Sequence, residues 1–245
     1  MAGKIVYGLN ALREALLAPE TINRVYFARD AKIRDRETWI TALREVKAPF
    51  DFVPLSKLNS MTGATDHQGV AVAISPVAYA QLDDCLADCP PQALFLVLDQ
   101  VQHPKNLGMI VRSAVGAGAQ GILFPERGNA LLDEEVVRAS AGTVQRIPLI
   151  PCGNLSQAIK RLKKADFWVY AMEADAPQSV FTLDWPARAA LVVGNESKGL
   201  RPGTRKNCDD GVSIPLAKQL ESLNVAVAAS VALFQYRATQ LTRDS

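Results

Sequence analysis

Six consecutive apolar residues, Ala93-Leu-Phe-Leu-Val-Leu98, set the strongest limit on the fold. The run is far too short to span a membrane. It has no polar face, so it predicts a strand buried on both sides, as in parallel sheets covered by helices. The pattern that follows alternates. Helical spacing predicts helices over 106–115, 134–141, 155–164 and 222–239, and apolar runs predict strands over 121–124, 167–171, 189–193 and 212–214. Strands alternating with helices imply an α/β domain built on a mostly parallel sheet.

The chain ahead of this run reads as a separate small unit. Leu9, Leu12, Leu16 and Leu17 repeat at helical spacing until Pro19, and residues 32–47 repeat through Ile33, Trp39, Ile40, Leu43 and Val46. Residues 22–28, 50–53 and 69–74 read as strands. Together they make an α/β unit of roughly 75 residues, large enough to fold alone. Residues 77–92, with three aspartates and Pro90-Pro91, read as an extended linker. The division is therefore 1–76, 77–92 and 93–245.

Composition excludes several classes. Hydrophobic residues make 49% of the 245 and charged residues 21%, as in ordinary globular proteins. A net charge of +2 gives no global field for nucleic acid, so RNA affinity requires a local patch. The small basic excess lies in residues 1–76, where Arg24, Arg29, Lys32, Arg34 and Arg36 are candidates for exposure. Asp30, Asp35 and Glu37 interleave with them, so the segment reads either as a solvated charged helix or as an RNA contact. Cys85, Cys89, Cys152 and Cys208 form no CxxC pair, and neither His67 nor His103 lies at finger spacing, so no metal is expected. The N-terminus has no signal-peptide pattern and the apolar stretch 225–234 is too short for a bilayer, so the expected location is the cytoplasm, with no membrane partner.

Two glycine motifs are decoys. Gly116-Ala-Gly118-Ala-Gln-Gly121 fits GxGxxG, but a predicted helix precedes it and a strand follows, the reverse of a dinucleotide fingerprint. It reads as a helix end, and it argues against a nicotinamide oxidoreductase. Gly194-Asn-Glu-Ser-Lys-Gly199 lacks the Lys-Ser/Thr of a phosphate-binding loop.

Three segments carry chemistry. In the first, strand 93–98 runs through a proline turn into a helix, with Asn106 near its start as a candidate cap and Arg112 six residues on, placed near the same helical face. In the second, strand 189–193 runs into a glycine-flanked loop holding Glu196, where a ligand can approach the backbone at Gly194. In the third, Ile214 leads through a loop to Ser222, Leu223 and Asn224 at the mouth of a helix rich in Ala and Val. A cap, a surface arginine and an ordinary turn are the commoner readings of each alone.

Their order is more specific. Asn106-Leu-Gly-Met-Ile-Val-Arg-Ser-Ala-Val-Gly-Ala-Gly118, Leu191-Val-Val-Gly-Asn-Glu-Ser-Lys-Gly-Leu200 and Ile214-Pro-Leu-Ala-Lys-Gln-Leu-Glu-Ser-Leu-Asn-Val-Ala-Val-Ala228 resemble, in sequence order, the three motifs of the SpoU (TrmH-type) RNA ribose 2′-O-methyltransferases of the SPOUT superfamily. Residues 5–17 and 66–74 resemble the two ends of the family's L30e-like RNA-binding domain. The resemblance implies an α/β catalytic domain whose parallel sheet ends in a deep trefoil knot, plus the L30e-like domain. It implies a homodimer with the active site at the interface, burying the C-terminal helix and the 106–112 helix.

The implied cofactor is S-adenosylmethionine, held by Gly194 and its loop, Ile214 and Leu223. The implied reaction is methylation of a ribose, nearest the branch acting on a guanosine of 23S ribosomal RNA, with transfer RNA as the alternative. The implied catalytic set is Arg112, Asn106, Glu196, Ser222 and Asn224. Arg112 acts centrally there, and because a guanidinium stays protonated in proteins, a phosphate and oxyanion clamp suits it better than the role of base. Two positions depart from the motifs: His103 stands where Asp is common, and Lys218 where Gly is usual, which would crowd the cofactor loop or add a phosphate contact. Lys218 is the one feature favouring a non-catalytic RNA-binding protein on the same fold.

Overall fold

The computed structural model describes residues 4–17, 22–46, 48–74, 79–125, 128–130, 134–217 and 220–243. The chain forms two compact units, one from residues 1–78 with 132–146, the other from 79–131 with 147–245. The division read from the sequence differs in two stretches: residues 132–146 cluster with the N-terminal unit, and residues 79–92 of the expected linker belong to the second unit.

The first unit is built on a four-stranded sheet, in the order β1 (Lys4–Tyr7), β4 (Val70–Ile74), β2 (Ile22–Ala28), β3 (Phe50–Val53). β4 is antiparallel to β1 and β2, and β3 runs parallel to β2. Helices α1 (Leu9–Ala15), α2 (Arg36–Glu45) and α3 (Leu55–Thr62) connect the strands. β1 and α3 are too short for their apolar residues to define a period from the sequence alone. The helix read over 32–47 begins only at Arg36, since Asp35 takes a left-handed backbone conformation (φ 54°) that ends any helix upstream. Buried His67 braces the turn before β4: its Nε2 lies 2.6 Å from Asn59 Oδ1, and its Nδ1 accepts the Gly69 N–H. α6 (Glu134–Ala139) joins this unit, with Arg138 donating to the Tyr7 hydroxyl at 2.6 Å, and Arg146 pairs with Glu14.

The second unit carries a seven-stranded, wholly parallel sheet. Its order is β7 (Leu149–Cys152), β6 (Gly121–Pro125), β5 (Ala93–Leu98), β10 (Arg188–Val193), β8 (Trp168–Met172), β11 (Asp210–Ser213) and β9 (Gln178–Ser179). All six residues of β5 are buried. Phe95 and Val97 enter a core with Leu155, Ile159 and Leu162 of α7 (Leu155–Lys164). Leu94, Leu96 and Leu98 are buried as fully while pointing to the opposite face, as the period-two alternation of a strand requires. Part of the presumed linker is helical: α4 (Leu82–Ala87) places Leu82 in this core, and Cys85, Leu86 and Cys89 pack beside it. The aspartates suit its first turn, where Asp83 and Asp84 favour the helix dipole.

α5 (Pro104–Ala117) begins at a proline in its first turn and ends at Gly118 in the left-handed conformation (φ 79°), so the GxGxxG decoy does terminate a helix. α5 packs against the last helix, α9 (Val225–Arg243), where the Ser113 and Ser230 hydroxyls meet at 2.6 Å. A short helix, α8 (Pro202–Arg205), precedes β11. No helix among the described residues is long and apolar enough to cross a membrane.

Candidate active site

The second unit brings the three motif segments together at the carboxyl ends of β5 and β10. There the loop 194–200 folds back on itself: Asn195 and Gly199 exchange backbone hydrogen bonds of 2.9 and 3.0 Å. Asn195 Oδ1 accepts from the Ser197 and Lys198 N–H groups, both at 3.1 Å. Gly194 is required here, because a Cβ would stand 2.3 Å from the Gly199 carbonyl carbon. Gly199 takes φ 65°, a conformation glycine adopts without penalty.

Glu196 points from this loop to the start of α5. Its carboxylate accepts from Asn106 Nδ2 at 3.0 Å, the His103 N–H at 3.2 Å and the Gln102 N–H at 3.4 Å. Burial pushes its carboxyl up. The hydrogen bonds, that from Asn106 foremost, outweigh burial and hold it below the ordinary carboxylate range. Asn106 is thus no cap; α5 starts two residues earlier, and the side chain bridges to the third segment. Its Oδ1 accepts from Asn224 Nδ2 at 3.1 Å. Asn224 in turn caps α9 by accepting the Ala226 N–H at 2.9 Å, so the final helix opens at Val225 and Ser222 lies outside it. The result is one hydrogen-bonded line, Glu196–Asn106–Asn224, joining segments about a hundred residues apart.

Beside this line lies a cavity of about 280 Å³ that Gly194, Glu196, Ile214, Ser222 and Leu223 all line. Met172, Leu216, Val225 and Ala228 add apolar wall, and Glu173, paired with Arg205 at 2.6 Å, adds a second carboxylate. Glu173 went unread because nothing in the sequence links the end of β8 to the three motifs. A larger cavity of about 550 Å³ opens beside Asn154 and Arg201, away from the Glu196–Asn106–Asn224 line. Its size does not outweigh the convergence of the motifs.

Arg112 is not among the residues lining the 280 Å³ cavity; it is exposed on α5. Six residues turn a helix about 600°, some 120° short of two turns, so Arg112 does not share the face of Asn106. Met109, on the same helix as Arg112, is exposed, as are Val227 and Phe234 on α9, against which α5 packs. Lys218 falls outside the described residues. Among those described, no three His, Cys, Asp or Glu side chains group as metal ligands.

In the first unit the basic residues divide. Arg24 is held by Asp51 at 2.6 Å, and Arg29 donates to the Phe52 carbonyl at 3.1 Å. Arg36 is half-buried rather than exposed, because its guanidinium donates to the carbonyls of Ala28 and Ala31. Lys32 and Arg34 line an open cleft with Asn10, Arg13, Trp39 and Gln68, where Asp35 also lies and pairs with Arg34 at 3.5 Å. Arg13 lies over the Trp39 ring, 5.9 Å from its centre. Arg13 and Trp39 went unread because they belong to α1 and α2, whose adjacency only the fold reveals.

Residues 93–234 match the SpoU rRNA Methylase family. The chain belongs to that family. Residues 5–80 match the substrate-binding domain of RNA 2′-O ribose methyltransferases. The SpoU chain is 39% identical over 186 residues to the 23S rRNA (guanosine-2′-O-)-methyltransferase RlmB of Xylella fastidiosa, covering 75% of each. It is 32% identical to an uncharacterized tRNA/rRNA methyltransferase, slr0955, of Synechocystis, over 94% of this chain but only 61% of that longer protein. Among solved structures, the AdoMet-bound rRNA methyltransferase of Sinorhizobium meliloti superposes with a TM-score of 0.78 at 25% identity, over 97% of this chain and 87% of that one. The α/β class with a parallel sheet and a small N-terminal domain is therefore that of the SpoU methyltransferases.

Proposed function

We propose that this chain transfers a methyl group from S-adenosylmethionine to the ribose 2′-oxygen of a guanosine in 23S ribosomal RNA, acting as a homodimer. The observation that carries the proposal is the Glu196–Asn106–Asn224 line beside a cavity lined by Gly194, Ile214 and Leu223. The cavity suits the donor: apolar walls for an adenine ring and loop backbone for its edge.

The donor, when bound, supplies an electrophilic methyl on a sulfonium. The residues then have separable tasks. Gly194, Ile214 and Leu223 hold the donor. Asn106, locked between Glu196 and Asn224, orients the ribose, with Ser222 at the cavity rim; such positioning supplies much of the rate enhancement. Arg112 clamps a phosphate and steadies charge developing on the 2′-oxygen. A second copy seated on the exposed Met109, Val227 and Phe234 face would take Arg112 out of bulk water, where its charge acts more strongly. The trefoil knot belongs to the same proposal, supported by the order β5, β10, β8, β11, in which late and early strands interleave.

In the first unit, Lys32 and Arg34 share with Arg13 and Trp39 a cleft offering both cations and a stacking surface, the combination that suits unpaired RNA. The RlmB similarity favours ribosomal RNA, and the likeness to slr0955 keeps transfer RNA as the second reading. Ribose-methylation mapping of total RNA with and without the gene tests the proposal. Loss of one 23S guanosine mark is expected; loss of a transfer RNA mark selects the second reading, and no lost mark refutes both.

A further inference from the structure

A buried acid outside the catalytic set sits at the root of the cofactor loop. Asp99 follows β5 and is 0% exposed. Its backbone N–H donates to the Val193 carbonyl at 2.8 Å, at the residue just before the loop. Its carboxylate accepts the Arg201 backbone N–H at 2.9 Å and Arg201 Nε at 2.6 Å, just after the loop. A single residue therefore ties both ends of the loop 194–200.

The residues after Asp99 continue the seam. Gln100, itself in the left-handed region at φ 68°, accepts Asn195 Nδ2 on its carbonyl at 2.9 Å, and the Gln102 and His103 N–H groups reach Glu196. A buried carboxylate is tolerated only when paired and hydrogen-bonded. Both side-chain bonds of this one go to Arg201, whose own side chain stays half-exposed. The pair thus spans from core to surface and acts on the segment that lines the cavity.

We infer that Asp99 and Arg201 form a clamp that sets the loop 194–200 in its cofactor-binding shape, making Asp99 a positioning residue. This rests on the cofactor reading above. A clamp of this kind acts on binding, so its loss raises the cofactor KM and leaves kcat at saturation largely intact.

Two measurements on the full chain test it: calorimetry with S-adenosylmethionine, and amide hydrogen exchange without it. Asp99→Asn and Arg201→Gln are each expected to weaken binding at least about tenfold, or about 1.4 kcal/mol. Each is expected to speed exchange at residues 197–201 while strands β5 and β10 stay protected. The double variant is expected to be no weaker than the worse single one, because the two residues make one interaction. Should Asp99→Asn fail to fold, Arg201→Gln carries the test, since it alters a half-exposed side chain. A lowered melting temperature with unchanged affinity and unchanged loop exchange overturns the inference. A wild-type chain that binds no donor refutes the cofactor reading and the clamp's purpose together, while the exchange result separately shows whether the loop is clamped.

Discussion

Replacing Asn106 with alanine removes the middle of the line that joins the three motif segments. Two hydrogen bonds vanish: one donated to the Glu196 carboxylate at 3.0 Å, and one accepted from Asn224 at 3.1 Å. A bond to a charged group contributes about 1.5–3 kcal/mol and a neutral one about 0.5–1.5. Asn106→Ala should therefore cost about 2–4.5 kcal/mol of transition-state stabilisation, lowering kcat/KM roughly 30- to 2000-fold. The loss should fall mainly on kcat, because Asn106 is not among the residues lining the cavity. The pH profile gives an independent reading. In the native chain the Glu196 carboxyl is held low, so the anionic, hydrogen-bonded site persists above the ordinary carboxylate range and is lost as pH falls through the depressed value. Burial works against this, and Asn106 supplies the largest opposing contribution. Without Asn106 the acid limb should move to higher pH. Initial rates with radiolabelled donor across acid and neutral pH measure both effects. A variant with near-native kcat/KM and an unmoved acid limb would refute the orienting role of Asn106.

Other perturbations separate the parts of the site. Gly194→Ala forces a Cβ against the Gly199 backbone, a strain of about 1–3 kcal/mol, and should weaken donor binding roughly 5- to 150-fold by calorimetry. Trp39→Ala and Lys32→Gln should weaken RNA binding while sparing donor affinity, and Lys32→Gln should also reduce the salt slope of binding by about 0.7–0.9 if it meets a phosphate. Phe234→Asp, on a half-exposed ring, should yield a folded monomer by sedimentation; an unchanged dimer would place the interface elsewhere.

Much of the fold was legible because the core strands announce themselves. β2, β5 and helix α7 fall at their predicted bounds, since apolar or amphipathic runs leave little choice of partner, and the short β3 does so through its two phenylalanines and valine. β1, β7, β9 and α3 are short segments whose state is set by neighbours distant in sequence. α4 hid behind its aspartates and the Pro90-Pro91 pair. Within the site, residue types at Gly194, Glu196 and Asn106 pointed to the chemistry, but their wiring did not. Asn106 reads as a cap until Glu196 and Asn224 stand on either side of it. Asp99 stands in the sequence only as the residue after a strand, and its role appears when Arg201 folds over it. The cleft of Arg13 and Trp39 likewise joins residues that no spacing rule connects.

The central claim is methyl transfer to a ribose oxygen, and the most direct measurement uses purified protein, unmethylated ribosomal RNA and a donor carrying a tritiated methyl group. After alkaline hydrolysis the label should appear in one alkali-resistant dinucleotide with a 5′ guanosine, and Arg112→Ala should leave the RNA unlabelled while still binding the donor. Label recovered on a base, or none in any RNA despite bound donor, would contradict the account.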